Sequence, residues 1–135
     1  MACLDTTILI DLGSKASARK ERAARKIEEL AARGESLTTT RFNLAELYVG
    51  IARSSRPTED EKAIGTLLRE FEILDFNDAA ARLFGSITGF LQQRGTPAGD
   101  MDVLIAATAL VYGHPLVTRN AKHFRHIPDL TVEEY

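Results

Sequence analysis

The sequence predicts an α/β fold, a three-layer α/β/α domain with a central parallel sheet of about five short strands. Short apolar or β-branched runs at residues 2–4, 38–40, 71–76, 116–118 and 130–132 are separated by stretches with helical periodicity. Strands joined through helices need right-handed crossovers, and these yield a parallel sheet covered on both faces. No linker, biased tract or repeat of fixed period divides the 135 residues, which therefore read as one domain, 1–135. A chain of this length buries roughly two-thirds of its unfolded surface and can hold a core without staples.

The first strand closes at Asp5. A short helix at about 7–12 follows, then a longer charged helix over 17–33 that Gly34 stops, since glycine readily takes the left-handed conformation past a helix end. Thr38, Thr39 and Thr40 make the second strand, and a helix covers about 41–53. Pro57, Thr58 and Glu61 mark the next helix start, with Thr58 and Glu61 at capping-box spacing, and that helix runs to about Glu70. After the third strand, Asn77 caps a helix in which Leu83, Phe84, Ile87, Phe90 and Leu91 form an apolar stripe suited to core or dimer packing. Gly99 and Asp100 open a helix that is apolar on nearly every side, Gly113 ends it, and the strands at 116–118 and 130–132 complete the sheet.

Apolar residues make up 44% and charged residues 27%, the composition of a globular protein. The net charge of -2 gives no overall basic balance, so any binding of nucleic acid must be local. Lys15, Arg19, Lys20, Arg22, Arg25 and Lys26 stand against Glu21 alone and form either a basic ridge for phosphates or a solvated helix face. The single cysteine, Cys3, excludes an internal disulfide and a thiolate metal cage and reads as a core thiol, in keeping with a reducing, cytoplasmic setting. The start of the chain, with Asp5 and Asp11 and no basic leader, does not resemble a signal peptide. The longest apolar run, 103–113, falls short of the ~17 residues a membrane span requires.

Carboxylates bordering apolar segments carry the chemical signal. Ligands of open α/β sheets bind beyond the carboxyl ends of the strands, where Asp5 and Asn120 fall. Each could instead cap the helix that follows it. Glu46 has Phe42, Asn43, Val49 and Gly50 as helical neighbours, which is not a fully solvated stripe. Asp100 and Asp102 precede a buried helix, with Asp100 the better N-cap candidate and Asp102, in the first turn, the better ligand. Several carboxylates at one site repel one another, and a divalent cation such as Mg²⁺, or alternatively Mn²⁺, removes the conflict. Such an ion can activate a water and steady the leaving oxygen in phosphoryl transfer.

The residues around these acids are LDTTILID at 4–11, TRFNLAEL at 40–47, GDMDVLIAATAL at 99–110 and LVTRNAKHF at 116–124. In this order they resemble the PIN-domain ribonucleases, and most of all the VapC toxins of bacterial toxin–antitoxin pairs, over nearly the whole chain. The resemblance implies a PIN-like fold and catalytic acids at Asp5, Glu46 and Asp102, with Asp100 a further candidate ligand of Mg²⁺ or Mn²⁺. It places the family's fourth position, usually Asp, on Asn120, where the missing charge counts against a tightly held second metal. Thr6 and Thr118 are then hydroxyl partners to water, metal or phosphate, and Arg41, Arg119 and Lys122 are candidates for holding phosphates. The implied activity is cleavage of structured RNA, with transfer RNA or ribosomal RNA as usual targets. The implied partners are a VapB-like antitoxin and a second copy in a homodimer.

Two other readings compete. A phospho-accepting receiver domain would need an acidic pair after the first strand and a lysine after the last, whereas Thr6 and Thr7 follow Asp5 and 130–135 contains no lysine. An inactive PIN scaffold that only binds RNA or protein is left open by Asn120.

Overall fold

The computed structural model describes residues 1–15 and 17–135. Among the described residues the chain forms β1 (Ala2–Leu4), α1 (Thr6–Gly13), α2 (Ala18–Ala32), β2 (Leu37–Thr40), α3 (Arg41–Ala52) and α4 (Pro57–Leu68). Then come β3 (Glu72–Leu74), α5 (Asp78–Gln93), α6 (Asp100–Val111), β4 (Leu116–Thr118), a 3-10 turn at Ala121–His123 and β5 (Val132–Glu134). The five strands make one sheet in the order β3-β2-β1-β4-β5, and every pairing is parallel, as the strand and helix alternation predicts.

The pleat sorts the core into two layers. Along β1, Ala2 and Leu4 point to one face and Cys3 to the other, and in β4 Val117 and Leu116 divide the same way. Ala2, Leu4 and Val117 pack with Ile8 and Leu9 of α1, Ala23 and Leu30 of α2 and Leu47 of α3. Cys3 and Leu116 pack with Ile87 and Leu91 of α5 and with Val103, Ile105 and Ala106 of α6. Both faces are therefore covered, and the central strands are buried throughout.

Local chemistry fixes the helix ends. Ser17 accepts from the Lys20 amide and caps α2, and Asn77 accepts from the Ala80 amide and caps α5. Gly34 and Gly113, at φ 73° and 71°, take the left-handed conformation that ends α2 and α6. The expected capping box at Thr58 is absent, because Arg56 is the N-cap of α4 and Pro57 the first helical residue, which puts Thr58 inside the helix. The box lies instead at Thr40, whose hydroxyl accepts from the Asn43 amide while the Asn43 side-chain oxygen accepts from the Thr40 amide.

The last strand is also displaced, to Val132–Glu134 instead of 130–132. Asp129 at φ 65° turns the chain, Leu130 goes to the core beneath, and Glu133 and Glu134 enter the ladder as an edge strand, where charge is tolerated. The third strand is shorter than the apolar run 71–76, because Phe71 packs under the sheet and Phe76 meets Phe42 edge-on. In the α5 stripe, Ile87 and Leu91 are buried while Phe90 is exposed.

Candidate active site

The carboxyl ends of β1, β2 and β4 deliver one polar cluster. Asp5 follows β1 at the entry to α1 and is buried, yet both of its oxygens are occupied. Oδ1 accepts from Asn43 Nδ2 at 3.1 Å, and Oδ2 accepts from the Thr118 hydroxyl at 2.7 Å and the Thr7 hydroxyl at 3.5 Å. Burial pushes its carboxyl above the ordinary carboxylate range, and these donors, with the Thr6 backbone, pull it back.

From Asn43 the network runs to a second acid. Its amide also donates to the Thr6 hydroxyl at 2.9 Å, which donates to Glu46 Oε1 at 2.6 Å. Thr40 orients Asn43 through its own hydroxyl, which donates to Asn43 Oδ1 at 2.7 Å. Asn43 and Glu46 stand three residues apart on α3 and so share a face. Glu46 is half-buried. Burial raises its pKa, the Thr6 hydrogen bond opposes the rise, and the charges on Asp5 and Asp102 add to it.

Asp102 faces this pair from the first turn of α6. Burial raises its pKa, the neighbouring His123 opposes that, and the charge of Asp5 raises it further. His123 Nδ1 lies 3.5 Å from Asp102 Oδ2. The charges of Asp5 and Asp102 thus act on Glu46, and that of Asp5 on Asp102. Their donor set is all oxygen and mutually repulsive, which fits a hard divalent cation. Among the described residues, no three His, Cys, Asp or Glu side chains gather closely enough to enclose an ion.

The remaining sequence candidates divide. Thr6 and Thr118 belong to the cluster through Glu46 and Asp5. Asn120 lies at its edge, where its amide N–H donates to the Thr118 hydroxyl and its side chain makes no capping bond to the following 3-10 turn. The N-cap of α6 is Gly99, not Asp100. Asp100 is exposed and borders a groove with Leu91, Gln92 and Val103. Arg41 pairs with Asp75 at 2.9 Å, and Arg119 is held by Asp11. Lys122 is exposed on the 3-10 turn, next to His123. In the basic stretch of α2, Lys26 is buried against Glu29 and Glu133, and Arg25 pairs with Glu21, which breaks the continuous ridge.

Four members of the site escape the sequence reading: Thr7, Asp11, Asn43 and His123. Asn43 was legible as the partner of Thr40 at capping-box spacing, with Glu46 three residues further on. Asp11 lies four residues after Thr7 on α1 and so shares its face. Nothing local marks His123.

Beside Glu46 an apolar groove of about 280 Å³ runs between α1, α3 and α4, lined by Leu9, Ile10, Leu47, Ile51 and Ile64. Ile10 is exposed in its lining, and Tyr48 and Val49 are exposed on α3. No helix among the described residues is long and apolar enough to cross a membrane.

Comparison with known proteins identifies the family. The PIN domain family model matches residues 2–130. The chain is 32% identical over 107 residues to Ribonuclease VapC2 of Rickettsia felis, covering 79% of this chain and 80% of that one. It is 33% identical over 94 residues to the tRNA(fMet)-specific endonuclease VapC of Salmonella typhimurium, covering 70% and 71%. The VapBC2 complex of Rickettsia felis, solved on a DNA fragment from its promoter, matches with a TM-score of 0.88 at 28% identity, over 98% of this chain and 97% of that one.

Proposed function

Because the chain belongs to the PIN-domain family and, within it, to the VapC ribonucleases, we propose that it is the toxin of a VapBC-type pair, a Mg²⁺-dependent endoribonuclease that cuts structured RNA such as tRNA or rRNA. The observation that carries this reading is the hydrogen-bonded network that joins Asp5 through Asn43 and Thr6 to Glu46, with the charge of Asp102 acting on Glu46 from α6. These three residues would hold the cation, and Asn120 stands at the edge of the same cluster. When bound, Mg²⁺ or Mn²⁺ supplies Lewis-acid polarisation of the phosphodiester and a more acidic water.

The chain's own residues do the positioning. Thr118, Asn43 and Thr7 fix both oxygens of Asp5, and Thr6 fixes one oxygen of Glu46, so neither carboxylate must be ordered when RNA arrives. Lys122, exposed on the 3-10 turn beside His123, would hold a phosphate. The apolar groove ending at Glu46 supports a VapB-like antitoxin seated against the site. The exposed Ile10, Tyr48 and Val49 supply further apolar surface, which supports a homodimer. A single buried thiol supports a cytoplasmic setting.

The test is direct. Purified protein with bulk tRNA or rRNA and Mg²⁺ should cleave, and both chelator and Asp102→Asn should stop it. Production of the chain alone should arrest bacterial growth, and its antitoxin should restore it. A folded wild-type protein that leaves RNA intact across Mg²⁺ and Mn²⁺ concentrations would overturn the ribonuclease reading in favour of an inactive scaffold.

A further inference from the structure

The chain carries a net charge of -2, and several of its cations are engaged by its own acids: Arg41 on Asp75, Arg119 on Asp11, Arg33 on Glu133. A polyanionic substrate therefore needs other cations placed locally. Arg94 and Arg125 are such cations. Both are exposed, and among the described residues neither enters an ion pair.

The two arginines line one cleft of about 570 Å³, together with Phe90, Thr96, His126 and Ile127. That volume falls in the range of small-molecule sites and suits a nucleotide. The Arg94 guanidinium lies over the Phe90 ring, 4.8 Å from its centroid. A guanidinium stacked on a ring offers a flat cationic face to an unpaired base and N–H groups to a phosphate. Buried Ile127 closes the apolar side of the cleft.

Position links this cleft to the acids. The last turn of α5 supplies Phe90 and Arg94, and the segment leaving the 3-10 turn supplies Arg125 and His126. That segment begins at His123, 3.5 Å from Asp102, and buried Phe124 anchors the residue between. We propose that the cleft is an RNA subsite that holds a nucleotide flanking the scissile phosphate. Arg94 and Arg125 take backbone phosphates, and Phe90 with Arg94 forms the platform on which an unpaired base stacks. This inference rests on the ribonuclease reading. An acidic peptide also suits two arginines, but the aromatic platform and the continuity with the acid site favour RNA.

The test uses full-length protein carrying Asp102→Asn, so that RNA binds without being cut, with bulk tRNA as the probe across a salt series. Adding R94A/R125A should weaken binding about tenfold at low salt and make the log–log salt slope shallower by roughly one to two. R94K/R125K should keep the slope while losing part of the affinity, since lysine replaces the charge and not the stacked plane. In the cleaving protein, the double alanine change should raise KM more than it lowers kcat. Matching thermal melts would exclude unfolding as the cause. Unchanged affinity, slope and KM in a parent that binds and cleaves tRNA would overturn the subsite and leave the ribonuclease reading standing. A parent that neither binds nor cleaves RNA would overturn both. Loss of antitoxin binding with tRNA binding intact would assign the cleft to an acidic protein segment, and the RNA subsite would fall.

Discussion

Asp11 on α1 and Arg119 at the exit of β4, 108 residues apart in sequence, form a two-point ion pair, 2.9 Å from Nε to Oδ2 and 3.4 Å from Nη2 to Oδ1. The Asp11 side chain is 4% exposed and that of Arg119 27%. The Tyr135 hydroxyl donates to the same Oδ2 at 2.8 Å, and the Arg119 amide donates to the Thr7 hydroxyl at 3.0 Å. Arg119 thus pins the segment that carries Thr118 and Asn120.

Removing either partner should have unequal effects. Arg119→Ala leaves a buried carboxylate uncompensated and should cost about 3 kcal/mol or more. Asp11→Asn keeps an acceptor for Tyr135 and leaves only a partly solvated guanidinium, so it should cost about 1–2 kcal/mol. Urea melts in metal-free buffer compare them, and equal losses would show that the pair is effectively exposed.

Asp102→Asn and Asp5→Asn should each lower cleavage by at least ~100-fold. Their stabilities should separate. Asp102 is half-buried and, among the described residues, has His123 as its one ion-pair neighbour, so neutralising it relieves repulsion and the melting temperature in chelator should hold or rise. Asp5 accepts on both oxygens, and an asparagine turns one acceptor into a donor facing either Asn43 or Thr118, which should cost about 1–3 kcal/mol. Retained cleavage by either folded variant would remove that residue from the catalytic set.

The Asn120 side chain makes no capping bond, so its replacement tests charge alone. Asn120→Asp should lower the Mg²⁺ or Mn²⁺ concentration needed for half-maximal cleavage. Metal titrations at fixed pH and salt, alongside metal-free melts, measure this. Superimposable metal curves would place Asn120 outside the metal site.

His114 provides a pH dependence away from the acids. It is buried, its Nδ1 lies 3.1 Å from the Thr38 hydroxyl, and that hydroxyl donates to the Ala2 carbonyl, so Nδ1 carries the proton and Thr38 accepts. Burial lowers its pKa, the N-terminal ammonium lowers it further, and Glu72 and Glu35 act the other way. With the folded pKa below the unfolded value of ~6.5, its contribution is complete above that pH and is lost as pH falls through the folded value. Chemical melts from neutral to mildly acidic pH should show wild type losing more stability than His114→Gln. Parallel curves would show that His114 is solvated.

The sequence shows its helix ends and central strands because those depend on neighbours in the chain. Gly34 and Gly113 end helices by their own backbone freedom, and Ala2 to Leu4 and Leu116 to Thr118 are apolar enough to need burial on both sides. Reading fails where tertiary contacts decide. Thr58 and Glu61 have capping spacing, but Pro57 starts the helix two residues earlier. The run 130–132 gives up Leu130 to the core beneath, and the edge strand moves onto two glutamates. Within the site, Asp5, Glu46 and Asp102 are visible as acids in apolar surroundings, whereas the use of Arg41 and Arg119 as ion-pair partners depends on Asp75 and Asp11, both distant in sequence.

The place of β1 in the middle of the sheet sets an order in time. Asp5 is made before Asn43 and Glu46, but the hydroxyl that fixes its second oxygen belongs to Thr118, 113 residues later. Helices form quickly from local contacts, while parallel pairings such as β1 with β4 must await loop closure across almost the whole polypeptide. A nascent or half-folded chain therefore holds the acids without the geometry, and the capacity to cut RNA arrives as a terminal event of folding.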